Sequence, residues 1–259
     1  MDNFATACRQ RLRTAAALLT LLLLAGARPA VAAGETESGP SAGESAQTAA
    51  GPAATGSIEG TVTYTADAGR PWRYSRYYVD AKSGNALSDA LVCLSGAALQ
   101  EAAPPREVQT AVMDQKDFRF VPETLAIRAG DSVKFTNSDS STHNVFTRND
   151  LHPFDITLGG EDEQTETFSR AGGSRRPVVL GCHFHGSMRA WIFIFDHPWY
   201  QLTGSDGRFS LKNVPPGTYH LEMSHPAGQL RRSRRIEVVA GRTLKLDIDV
   251  SRAHKLVPM

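Results

Sequence analysis

The stretch Gly181 to Met188, GCHFHGSM, places one thiol, two imidazoles and a thioether in the seven consecutive positions Cys182 to Met188. All four are soft or borderline donors. None is the carboxylate or carbonyl oxygen that Mg2+ or Ca2+ requires. Two residues separate Cys182 from His185 and two more separate His185 from Met188, so one tight loop can aim three side chains at a point. A fourth donor, His143 in NSDSSTHNV, follows directly on the strand-like segment DSVKFTN. A loop closing from RPVVLGC to MRAWIFIF would wrap three donors around an ion, with His143 supplied from a neighbouring strand end.

Two imidazoles and one thiolate in a near-trigonal plane, with a weak and distant axial thioether, suit copper that changes oxidation state. The residues therefore predict a single copper ion held by His143, Cys182, His185 and Met188. Structural zinc is disfavoured, because it takes four Cys or His ligands in paired short-spaced motifs and thioether is a poor ligand for it. A binuclear copper centre needs a second loop cysteine, and the loop has none. His183 adjoins Cys182, and in an extended loop alternate side chains point oppositely, so a surface or bracing role is expected for it. His152 and His197 adjoin prolines at turns, and His220 and His225 flank a strand; none of these is assigned to metal. A disulfide between Cys93 and Cys182 is the simple alternative in an oxidising compartment. Cys93 lies in the apolar run ALVCLSG, where a small buried thiol packs well, and two unpaired sulfurs with different jobs are expected.

The chain has 259 residues with 28 basic and 27 acidic side chains. At the N-terminus, Arg9, Arg11 and Arg13 precede the apolar run TAAALLTLLLLAGA, and small residues follow at PAVAAG. That pattern predicts a secretory signal peptide over residues 1–33, because the run is short of the ~20 residues a membrane span needs. Its removal leaves 24 basic against 26 acidic residues, a net charge of −2. Nothing in that balance suggests nucleic acid, and RRSRR at 231–235 reads as a solvated strand edge or loop. Residues 34–56 contain almost no large apolar side chain and are expected to form a flexible linker. No nucleophile elbow, phosphate loop or isolated carboxylate pair is present, so an enzyme is not expected.

From Ser57 onward the chain reads as all-β. Short segments rich in Val, Ile, Phe, Tyr and Thr alternate and are punctuated by Gly, Pro, Asn and Asp. Met113 and Met223 fall in such segments and are expected in the core. Thr203, Asp206, Gly207, Phe209, Val214, Pro215, Pro216, Gly217 and Tyr219 resemble the second part of the carboxypeptidase regulatory-like (transthyretin-like) β-sandwich. Ala90, Val92 and Leu94 resemble its first part more loosely. The long interval between them should carry structure of its own. That interval resembles a cupredoxin of the plastocyanin and amicyanin type from about Gln109 to Asp196. The match runs through Phe120, Pro122, Ile127, Gly130, Asp131, Val133, Phe135, Asn137, Asp139, His143, Asn144 and Val145, and the loop spacing is that of amicyanin. The arrangement is also similar to bacterial proteins labelled as methylamine utilization or plastocyanin-like.

These resemblances imply a Greek-key cupredoxin β-sandwich over residues 104–197, inserted in a regulatory-like β-sandwich made of residues 57–103 and 198–251. They imply His143 and His185 as equatorial ligands, Cys182 as the thiolate, Met188 as the axial ligand and Asn144 as a brace between the ligand loops. His185 would be the route for the electron. The expected function is that of a periplasmic or secreted type 1 (blue) copper protein, transferring electrons with a redox partner such as a c-type cytochrome or a dehydrogenase. The alternative is a cell-envelope binding or structural protein, its outer sandwich docking a carbohydrate or protein, in which the copper is stored or handed on.

Overall fold

A computed structural model describes residues 54–65, 79–80, 82 and 84–250. The expected signal segment, and the expected linker up to residue 53, lie outside the described residues. Strand β1 (Gly56–Thr63) begins on the last residue assigned to that linker. It is followed by β2 (Val79–Asp80), β3 (Ala86–Leu87), β4 (Leu91–Ser95) and a single turn of helix, α1 (Ala98–Glu101). Seven strands then precede the histidine- and cysteine-bearing loop or end beside it: β5 (Thr110–Lys116), β6 (Arg119–Val121), β7 (Thr124–Arg128), β8 (Ser132–Asn137), β9 (His143–Thr147), β10 (Phe154–Leu158) and β11 (Glu163–Thr167). Strands β12 (Val178–Gly181) and β13 (Arg189–Phe195) flank that loop. The described residues end with β14 (Tyr200–Leu202), β15 (Arg208–Val214), β16 (Gly217–His225), β17 (Leu230–Val238), β18 (Thr243–Lys245) and β19 (Ile248–Asp249).

Strand pairing divides these elements into two groups. Among the described residues, β5 to β13 pair only with one another, in sheets ordered β10-β9-β12-β13-β7 and β11-β8-β5-β6. Strands before and after that interval pair across it: β1 with β15, and β4 with both β14 and β16. Thr203 adds a side-chain stitch, its hydroxyl donating to the Leu87 carbonyl at 2.6 Å and accepting from the Ala90 N–H at 3.0 Å. The Asp206-Gly207 turn before β15 needs glycine. Gly207 has φ 70°, and a Cβ there would stand 2.5 Å from the Val62 carbonyl oxygen.

Each group encloses its own core. Ile58, Val62, Val92, Leu94, Phe209, Leu211, Leu221 and Met223 fill the outer one. Met113, Phe120, Val133, Phe135, Val145, Leu180, Cys182, Met188, Ile192 and Ile194 fill the inner one. The turn from β7 to β8 shows how local chemistry sets the second core's register. Gly130 takes φ 94°, and the Asp131 carboxylate accepts the Arg128 and Gln109 N–H groups, each at 2.8 Å.

Strand β13 is buried on both faces. Ala190, Ile192 and Ile194 enter the inner core. Phe193 and Phe195 point the other way, where they meet Leu91 and Cys93 of β4. A continuous apolar run is what such a doubly covered strand requires. A polar contact reinforces this junction. Glu222 on β16, almost fully buried, accepts from Ser174 and from Ser95 at 3.0 Å, and Arg175 stands 3.4 Å away. Cys93 and Cys182 are both free thiols, as expected. Burial, with the Glu222 charge nearby, pushes the Cys93 thiol far up, so it packs as an inert small hydrophobe.

Of the remaining histidines, His220 is exposed and the other three are held within the fold. His152 Nε2 lies 2.9 Å from the Arg170 carbonyl, and His197 Nδ1 accepts the Trp199 N–H at 3.2 Å. His225 is buried and its Nδ1 accepts the Gly228 N–H at 3.1 Å. Burial pushes its imidazole down from 6.5 to about 4, against a smaller upward pull from a backbone hydrogen bond. A folded-state value below the unfolded one means that stability is fully present above about pH 6.5 and is lost as pH falls toward about 4. Urea unfolding at a series of pH values should therefore show stability falling through that window, and His225→Gln should flatten the curve. An equally steep curve in the variant would place the sensitivity elsewhere.

Candidate metal centre

Four of the sequence-selected donors sit at one end of the inner sandwich. His143 is the first residue of β9. Cys182 follows the last residue of β12 and Met188 precedes the first residue of β13. These two strands are antiparallel neighbours, with Gly181 opposite Arg189, so the seven residues between them return on themselves. A turn closes the loop, the Met188 N–H donating to the His185 carbonyl at 3.0 Å. A single backbone pair, Gly181 with Phe146, joins β12 to β9 and brings the loop beside His143.

The donor atoms converge. His143 Nδ1 and His185 Nδ1 are 3.0 Å apart, and Cys182 Sγ lies 3.7 Å from His185 Nδ1. The donor atoms of His143, Cys182 and His185 all fall within 4.8 Å of one another. Bonds of about 2.0–2.1 Å to nitrogen and about 2.3 Å to sulfur place trigonal donors roughly 3.5–3.8 Å apart. The sulfur meets that spacing with His185, the two nitrogens stand slightly closer, and all three donors lie within 4.8 Å, so the three side chains can close on one ion. Met188 is 1% exposed and packs in the same core cluster as Cys182.

Hydrogen bonds fix how these donors face. His143 Nε2 is 2.7 Å from Asp139 Oδ2. A carboxylate can only accept, so Nε2 carries the hydrogen and the Nδ1 lone pair is turned inward. Burial works against ionisation of Asp139, but hydrogen bonds from the Phe118 N–H, His143 and the Asp117 N–H outweigh it and hold the carboxyl below its usual range. The Asn144 N–H points at Cys182 Sγ from 3.4 Å. Its side-chain amide donates to Asp155 Oδ1 at 2.7 Å and the Ile156 carbonyl at 2.8 Å, and its Oδ1 faces the His183 N–H at 3.4 Å. Asn144 thus ties β10 to the cysteine loop.

His183 turns away from the cluster. Its ring stacks on Phe146 with centroids 3.9 Å apart and planes 3° apart, and its Nε2 lies 2.9 Å from Asp155 Oδ2. The expected direction holds for a different reason, since the loop is a series of bends and turns rather than an extended segment. Hydrogen bonds from Asn144 and then from His183 hold the Asp155 carboxyl below its usual range. Sequence reasoning missed Asp139 as a partner of His143, Asp155 as the link from Asn144 to His183, and Phe118. The Phe118 ring stands edge-on to His143 and His185 at 5.4 and 4.8 Å.

Residues 106–181 match the family of copper binding proteins described as plastocyanin/azurin, and residues 196–251 match the carboxypeptidase regulatory-like domain. The inner sandwich is a cupredoxin domain. The family match ends one residue before Cys182, and the convergence of the loop's donors with His143 is a feature of this structure itself. Among similar solved structures is the amicyanin of Paracoccus versutus (Thiobacillus versutus), 17% identical, covering 40% of this chain and 96% of that one with a TM-score of 0.29. A purple cupredoxin from Nitrosopumilus maritimus is 21% identical, covers 32% and 98%, and has a TM-score of 0.28. A copper-containing nitrite reductase from Thermus scotoductus SA-01 is 21% identical, covers 37% of this chain and 26% of that one, and has a TM-score of 0.30. No curated protein matches the chain.

The Asn144 amide sits in a buried position, and removing it strands its partners. Asn144→Ala should destabilise the copper-free protein by ~1–3 kcal/mol in urea unfolding. A variant as stable as the parent would show that the amide does not brace the loops.

Proposed function

We propose that this chain is an exported one-electron carrier with a single type 1 copper held by His143, Cys182, His185 and Met188. The observation that carries the reading is the convergence of three donor atoms within 4.8 Å from two separate segments of the chain. Bound copper would supply reversible exchange between Cu(I) and Cu(II). The chain's own residues do the rest. Asp139 keeps His143 Nδ1 directed inward, the Asn144 N–H stabilises negative charge on Cys182 Sγ, and Asn144 with Asp155 holds the loop against β10. A cage braced this way changes little between oxidation states, which keeps reorganisation small.

Four protein ligands leave no position for a substrate, which favours electron transfer over catalysis. The partner we propose is a redox protein such as a c-type cytochrome or a dehydrogenase, meeting the domain at the loop end where His185 lies. Export is proposed from the signal-like residues 1–33; among the described residues, no helix is long and apolar enough to cross a membrane. We further propose that residues 57–103 and 198–251 form one regulatory-like sandwich interrupted by the cupredoxin domain at 104–197, which accords with strand pairing across the interval.

Protein film voltammetry of the copper-loaded protein should give one reversible one-electron couple, absent in Cys182→Ser. An irreversible wave, or a couple unaffected by that substitution, contradicts the carrier reading.

A further inference from the structure

We propose that Phe118 is the ring that seals buried His143 and shields one side of half-buried His185, and that Asp139 is the residue that positions it. The inference rests on reading His143 and His185 as metal ligands and adds a residue that the donor pattern does not contain.

Phe118 belongs to neither core and is 48% exposed, an unfavourable place for a large apolar side chain. Its backbone is unfavourable too. Asp117 and Phe118 both take left-handed conformations, with φ of 51° and 59°, which is strained in a residue other than glycine. Such a turn persists only where its surroundings enforce it, and one carboxylate does so here. Asp139 Oδ1 accepts the Asp117 N–H at 2.8 Å, and Oδ2 accepts the Phe118 N–H at 3.1 Å. The same Oδ2 takes the hydrogen of His143 Nε2. Asp139 therefore orients the first histidine and the turn beside it with one group.

The result is a ring standing nearly perpendicular to both imidazoles, at 87° to His143 and 84° to His185. His143 is fully buried although it is the first residue of β9 after a loop. Beyond the ring lies a cleft of about 720 Å³, lined by Arg119, Met188, Arg189 and the Pro226 to Gln229 turn of the outer sandwich among others. Removing the Phe118 side chain would join that cleft to the histidine rings. The chemistry so controlled is access: small anions and chelators that could reach a bound ion are kept off it, while an electron needs no opening.

The experiment compares the parent with Phe118→Ala, Phe118→Tyr and Asp139→Asn. An asparagine offers one acceptor oxygen where three N–H groups need two, so the ring should lose its support. The first readout is copper-free: modification of His143 and His185 by diethyl pyrocarbonate, mapped by peptide, with outward-facing His183 as the internal reference. Phe118→Ala and Asp139→Asn should raise modification of His185 and His143 several-fold relative to His183, while Phe118→Tyr stays at the parent level. The second is loss of copper to excess EDTA, expected to quicken by about 10- to 100-fold in the first two variants, with azide perturbing their visible spectra alone. Parent-like reactivity and copper retention in Phe118→Ala overturn the seal. Faster modification in Phe118→Ala with Asp139→Asn unchanged overturns the positioning role of Asp139. A parent that takes up no copper overturns the reading of the site itself, and the seal with it.

Discussion

The close approach of β9 and β12 at Phe146 and Gly181 is the constraint on which the metal centre depends. The donors come from segments 39 residues apart in sequence, His143 and Cys182. One backbone pair joins their strands. A side chain at Gly181 would place its Cβ 2.9 Å from the Phe146 ring, so glycine is what lets that ring lie flat across the strand end. The same ring stacks on His183 and turns it outward. It leaves Cys182 facing the Asn144 N–H and the two inward imidazoles. Local geometry at one residue pair thus separates the histidine that bends away from the histidine that joins the cluster.

Rigidity at that end is supplied by what lies behind it. Cys182 and Met188 share a core with Val145, Leu180 and Ile192, so the loop is anchored at both ends in packed apolar side chains. Strand β13 carries that anchoring further, because its second face packs on β4 of the outer sandwich. The buried Glu222 carboxylate, satisfied by Ser174 and Ser95, joins the two sandwiches by a polar contact. A buried carboxylate tolerates loss of its donors poorly, so this contact favours one relative arrangement of the sandwiches.

Much of this was legible before any coordinates. The Cys-x-x-His-x-x-Met spacing is local, and soft donors at loop spacing need no tertiary knowledge to interpret. The all-β class followed from alternation, and the pairing of strands across the long interval was suggested by motifs whose halves lie far apart. Asp139 and Phe118 were not legible as partners, because their meeting depends on a left-handed turn at two residues that nothing in their types demands. Asp155 meets Asn144 and His183 only through the register of β10 with β9. The run from Ala190 to Phe195 is apolar throughout, but that its second face is covered by β4 depends on a pairing far away in sequence. Ser174 in a Gly-rich loop gave no hint of a partner 48 positions away.

We propose that His143, Cys182, His185 and Met188 together hold one copper ion through a thiolate. This is tested most directly by adding one equivalent of Cu(II) to the purified protein lacking residues 1–33 and recording its visible and paramagnetic resonance spectra. A thiolate-bound single site should give an intense blue thiolate-to-copper band with a single paramagnetic copper signal, saturating at one ion per chain. A protein that stays colourless with excess Cu(II), or that saturates only at two ions, contradicts it.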